Sequence, residues 1–88
     1  MEERRGAIRY RLTVPVRFEK NGRAGVTRDM SISGIFFETG ETRSIGDEVH
    51  LSVDLKETTI RCEGRIVRVE QLNGRFGVAV EFTSYGFD

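Results

Sequence analysis

Apolar residues recur at every second position through most of this chain, the signature of strands with one buried face. Leu12, Val14, Val16 and Phe18 alternate with Thr13, Pro15 and Arg17. Pro15 has no N–H to give a ladder, so this first strand is expected at an edge or with its free N–H side outward. Lys20-Asn21-Gly22-Arg23 reads as a hairpin turn, because Asn-Gly accepts positive φ. Gly25 to Ser31 is a second run with Val26 and Met30 as its apolar members, and Ile35-Phe36-Phe37 after Gly34 is a third. Beyond a polar loop from Thr39 to Asp47, Val49, Leu51, Val53 and Leu55 alternate in a fourth. Lys56-Glu57-Thr58 is a turn, and Ile60, Cys62, Gly64 and Ile66 form a fifth run. The apolar phase then moves to Val67 and Val69, which predicts a bulge or a strand passing from one sheet to another. Asn73-Gly74 marks a second hairpin turn, and Phe76, Val78, Val80 and Phe82 a sixth strand. No amphipathic helix of ten or more residues is visible.

Six short strands without a covering helix must bury their apolar faces against one another. A small closed or nearly closed antiparallel barrel does this economically and also removes exposed edges. A two-sheet sandwich is the alternative. At 88 residues the chain is one domain's worth. It reads as an N-terminal leader over 1–11, a β-barrel over 12–83 and a tail over 84–88. No apolar run approaches the ~20 residues that span a bilayer, and Met-Glu-Glu-Arg-Arg opens the chain with no apolar stretch behind it. The single cysteine, Cys62, allows no internal disulfide framework and no Cys-cluster zinc site. These features predict a cytoplasmic protein that takes neither metal nor cofactor.

Charge changes the picture only once it is divided. Fourteen basic and fourteen acidic residues cancel, which argues against bulk binding of a long polyanion. Residues 1–28, however, carry a balance of +5 and residues 29–88 a balance of −5. Twelve of the fourteen basic residues are arginine, the side chain suited to forked phosphate contacts and to stacking on flat rings.

Signatures of catalysis are missing. There is no phosphate-binding loop, no nucleophile elbow and no paired histidine. His50 alternates with Val49 and Leu51 and should face solvent, while Cys62 shares the apolar face of Ile60 and Ile66 and should be an unreactive buried thiol. Single-stranded nucleic-acid binding would need exposed aromatics interleaved with basic residues, yet Phe18, Phe76 and Phe82 sit in core phases. Neither an enzyme, nor a DNA or RNA binder, nor a membrane protein is expected.

Two constellations stand above this background. Arg4, Arg5 and Arg9 lie in a leader that no turn or helix signal fixes. Flexible arginines there can wrap a small anionic ligand and become ordered; a solvated leader with no ligand is the bland alternative. Asp29-Met30-Ser31-Ile32-Ser33-Gly34 lies at the junction of the second and third strands. On an extended backbone Asp29 and Ser31 face one side, and Gly34 allows close approach. The bland alternative is a side-chain-stabilised turn at a strand corner.

Taken together, Arg5-Gly-Ala-Ile-Arg9 and Asp29-Met-Ser-Ile-Ser-Gly34 resemble the PilZ domain family, the bacterial receptors for cyclic di-GMP, whose hallmark is Arg-x3-Arg followed by Asp/Asn-x-Ser-x2-Gly. Val14-Pro-Val-Arg-Phe18, Gly64-Arg-Ile-Val-Arg-Val69 and Gly77-Val-Ala-Val-Glu-Phe82 look like the family's first, fifth and sixth strands, so the likeness spans roughly residues 3–82. The resemblance implies an all-β fold, a six-stranded antiparallel barrel with a flexible arginine-rich leader. It implies that Arg5 and Arg9 clamp cyclic di-GMP against a shelf made by Asp29, Ser31 and Gly34. Arg4 supplies the extra arginine associated with two intercalated ligand molecules per protomer. Ordering of the leader would then alter contacts to a downstream protein. A PilZ-type adaptor that binds no ligand and works through protein contacts is the rival reading.

Overall fold

The structure, a computed structural model, describes residues 8–20, 22, 24–41 and 43–87. Among them there is no helix. Seven strands form one antiparallel sheet: β1 (Tyr10–Arg11), β2 (Pro15–Phe18), β3 (Ala24–Met30), β4 (Gly34–Thr39), β5 (Glu48–Asp54), β6 (Thr59–Gln71) and β7 (Phe76–Phe87). The order is β1-β3-β2-β5-β6-β7-β4, and a further β3–β4 pairing closes it. Six strands therefore make the barrel expected from the alternation, and β1 is an additional short strand beside it. The barrel, not the sandwich, is the arrangement found.

The inward phase of the alternation is the core. Val16, Phe18, Ile35, Phe37, Val49, Leu51, Val53, Ile60, Cys62, Ile66, Val78 and Val80 are all buried. Phe37 and Phe18 meet edge to face, 5.7 Å between ring centroids, a favoured aromatic geometry. The phase change at Val67 is a bulge in β6: the β6–β7 register shifts between Ile66 and Arg68, leaving Val67 47% exposed and Val69 packed on the core. Gly22 (φ 69°) and Gly74 (φ 74°) occupy the two Asn-Gly turns in the left-handed region, where a Cβ is costly.

Four expectations change. The first strand is not an edge, because β2 pairs with both β3 and β5; Pro15 is tolerated as its first residue, the β5 ladder beginning only at Val16↔Val53. Nor does that strand run unbroken from Leu12. Residues 12–14 interrupt it, and the buried Thr27 hydroxyl fills the gap, donating to the Leu12 carbonyl (2.7 Å) and accepting from the Val14 amide (2.9 Å). The second run is inverted: Gly25 and Thr27 face the core and Val26 faces out. A Cβ at position 25 would lie 2.5 Å from the Glu38 carbonyl oxygen, so close approach of β4 selects glycine there. Finally, β7 does not stop near Phe82 but runs on beside β6, with Cys62↔Tyr85 and Arg61↔Gly86 in register.

Candidate functional site

The site is assembled where the end of the leader meets β3. Tyr10↔Met30 and Arg11↔Asp29 pair across β1 and β3, and Leu12 donates to the Arg28 carbonyl (3.3 Å). This ladder carries Arg9 onto a residue twenty positions away. Arg9 Nε donates to Asp29 Oδ1 at 2.8 Å and its terminal nitrogen lies 2.5 Å from the same oxygen. The pair remains wet, with side-chain exposures of 49% and 30%, so it contributes little to folding, ~0–1 kcal/mol. What it does is hold one arginine and one carboxylate together at the surface.

The surroundings follow from register. β3 carries an irregularity between Thr27 and Asp29, after which Asp29 pairs directly with Phe36 of β4. Ile35 and Phe37 point into the core, so Phe36 points outward. Its ring covers Gly77 of β7, where an added Cβ would come within 2.6 Å of the ring's Cζ. The guanidinium carbon of Arg68 lies 5.3 Å from the ring centroid, and Arg68 Nε donates to Glu70 Oε2 at 2.8 Å. Arg9, Asp29, Gly34, Phe36, Arg68 and Glu81 line one open groove of about 600 Å³. A neighbouring groove of about 410 Å³ shares Asp29 and Phe36 and adds Arg11 and Arg28. Four arginines thus lie around Asp29 and the Phe36 ring, although Arg28 is paired with Glu38 and Arg68 with Glu70, and Glu70 and Glu81 also line the larger groove. Arginines supply forked donors for phosphate or purine acceptors, and a carboxylate accepts from a donor edge.

The six residues singled out in the sequence are placed as follows. Arg9, Asp29 and Gly34 line the same groove. Arg4 and Arg5 lie outside the described residues. Ser31 does not share Asp29's surface, because β3 ends at Met30 and the chain folds back. Ser31 is buried, 4% exposed. Its hydroxyl accepts from the Ser33 amide (3.2 Å) and lies 3.1 Å from the Ser33 hydroxyl, while its amide donates to the Gly34 carbonyl (2.9 Å). That is the strand-corner turn. Gly34 answers first to packing: a Cβ there would lie 2.5 Å from the Val80 carbonyl oxygen of β7. Ser33, by contrast, lines the groove. Phe36 and Arg68 were not singled out in the sequence, although the alternation held the signal for Phe36, since two buried neighbours force the residue between them outward.

Elsewhere the chemistry is quiet. His50 is exposed with Glu63 3.6 Å away, as its alternation predicted. Cys62 is buried, and burial, then the Glu19 charge, push its thiol up to about 11. No cluster of His, Cys, Asp and Glu able to hold a metal occurs among the described residues, and no helix there is long and apolar enough to cross a membrane.

Comparison with known proteins agrees with the fold. A family model described as PilZ domain matches residues 1–86. No curated protein matches the sequence significantly. Among solved structures, the Bacillus subtilis inhibitor of motility (MotI/DgrA) superposes with a TM-score of 0.81 at 17% identity. The alignment covers 97% of this chain and 44% of that one, so this chain spans less than half of that protein's length.

Proposed function

The chain belongs to the PilZ domain family, and from that premise we propose that it is a cytoplasmic receptor for the dinucleotide second messenger cyclic di-GMP, not an enzyme. The observation that carries the reading is the Arg9–Asp29 pair at the lip of the groove. The guanine N1–H and N2–H₂ edge presents donors only, and Asp29 is the acceptor. Arg9 offers forked donors to a phosphate or to guanine O6 and N7. Arg5 joins Arg9 as the clamp, and Arg4 supports two intercalated ligands per protomer. Gly34 keeps the β4–β7 wall of the groove closed, and Ser31 holds the turn beside it.

In the free protein Arg9 and Asp29 satisfy each other. The ligand offers both a replacement, a phosphate for the arginine and a donor edge for the carboxylate. The exchange moves Arg9 from Asp29 onto the ligand, and the altered surface is read by a downstream protein. Thermal unfolding tests this against cyclic di-GMP, GMP and a short oligonucleotide. A ligand at a hundred times its Kd adds ~2.7 kcal/mol of stability, which at about 4–8 °C per kcal/mol for a domain of this size is a rise of roughly 10–20 °C. Cyclic di-GMP alone should produce it. No shift with any of the three is the behaviour of a ligand-free adaptor and overturns the proposal.

A further inference from the structure

The alternation that builds the barrel turns the Phe36 ring to its outer wall. Phe36 directly faces Asp29 across β3 and β4, so a flat ring lying on Phe36 has its edge within reach of the carboxylate. The ring is held in place from beneath: position 77 is glycine, and any larger residue would collide with it. Arg68 also lies close to the ring. Continued alternation from Ile60, Cys62, Gly64 and Ile66 would turn residue 68 into the core. The bulge between Ile66 and Arg68 turns it outward instead and sets its guanidinium 5.3 Å from the ring centroid. Bulges commonly re-aim a side chain in this way. Glu70 restrains the guanidinium through Nε. An exposed ion pair and an exposed cation–π contact each contribute only about 1 kcal/mol or less to folding, so fold stability gives little reason for the arrangement.

We propose that Phe36 and Arg68 form a base-stacking subsite, with a purine of the bound dinucleotide lying on the Phe36 ring, flanked by the Arg68 guanidinium, its donor edge read by Asp29. This rests on the reading of the groove as a cyclic di-GMP site and adds the residues that hold a base there. The groove's volume of about 600 Å³ is within the ~300–1,000 Å³ usual for small-molecule sites. Stacking on an aromatic side chain is worth ~1–3 kcal/mol per base, about a 5- to 150-fold change in affinity.

The test is calorimetric titration of cyclic di-GMP into the wild type, Phe36→Leu, Arg68→Ala and Arg68→Lys, with thermal unfolding of each free protein as the folding control. Phe36→Leu should bind at least ~5-fold more weakly. Arg68→Lys should lose as much as Arg68→Ala, because lysine keeps the charge but not the plane. Saturating the Phe36 ring protons by NMR should transfer magnetisation to the guanine H8. Wild-type affinity in both Phe36→Leu and Arg68→Lys overturns the subsite while leaving the binding function standing. A wild type that takes up no dinucleotide overturns both.

Discussion

Replacing Gly34 with alanine separates a packing role from a binding role at a position that carries both readings. The added Cβ would sit 2.5 Å from the Val80 carbonyl oxygen, whereas carbon–oxygen contacts between strands settle at ~3.3–3.6 Å. β4 and β7 must therefore part locally by close to 1 Å. Two hydrogen bonds lie in the path of that movement, Ser31 N–H to the Gly34 carbonyl and Phe82 N–H to the Ser33 carbonyl, both 2.9 Å. Overpacking of this kind costs ~1–3 kcal/mol, and the smaller unfolded-state entropy of alanine returns ~0.4–1 kcal/mol. The net loss is about 1–2 kcal/mol, a fall in Tm of roughly 5–15 °C. The control is Gly86→Ala, where nothing lies within 4 Å of the new Cβ; it should be neutral or gain up to ~1 kcal/mol. Urea and thermal unfolding of the free proteins give both values. If Gly34→Ala unfolds with Gly86→Ala and the wild type, strand approach does not explain the glycine.

Thr27→Val keeps the buried shape but removes the hydroxyl bonded to Leu12 and Val14; it should cost ~1–3 kcal/mol in urea unfolding and weaken ligand binding by loosening β1, and unchanged stability would contradict it. Cys62, buried and with its thiol pushed up to about 11, should resist a disulfide reagent at pH 8 and react at once in denaturant; rapid native labelling would refute that burial. Hydrogen bonds from Arg17 hold the Asp54 carboxyl below its ordinary 3.8. The folded state then binds this proton less readily than the unfolded state, so the contribution is complete above pH 3.8 and fades as pH falls through the lower folded value. The stability difference between wild type and Asp54→Asn should shrink over that acid range in pH-dependent urea unfolding, and a pH-independent difference would be the wrong outcome.

The barrel was legible because its core obeys strict alternation. Val49, Leu51 and Val53, or Ile60, Cys62 and Ile66, each declare a buried face without knowledge of their neighbours. Failures came where a contact made by another strand overrides the local pattern. Val26 looks like a core residue until β4's approach demands glycine at 25 and the interrupted first strand demands a hydroxyl at 27. Tyr85 looks like a tail residue until the register with β6 carries β7 past Phe82. The site was half legible for the same reason. Arg9 and Asp29 are polar residues at recognisable spacing, and β1–β3 pairing unites them. Ser31 was misplaced because its shared face with Asp29 assumed an extended backbone, and the strand ends one residue earlier. Phe36 and Arg68 owe their placement to register and to a bulge, which spacing in the chain does not state.

Isothermal titration of cyclic di-GMP against the wild type, Arg9→Glu and Asp29→Ala tests the central claim most directly. The wild type should bind with a stoichiometry of two. Both variants should lose affinity by ~2–5 kcal/mol, the usual cost of removing one partner of a charged recognition pair. Their free-state Tm should stay within a few degrees of the wild type, since the Arg9–Asp29 pair is exposed. Undiminished binding by both variants would contradict the assignment of this groove as the receptor site.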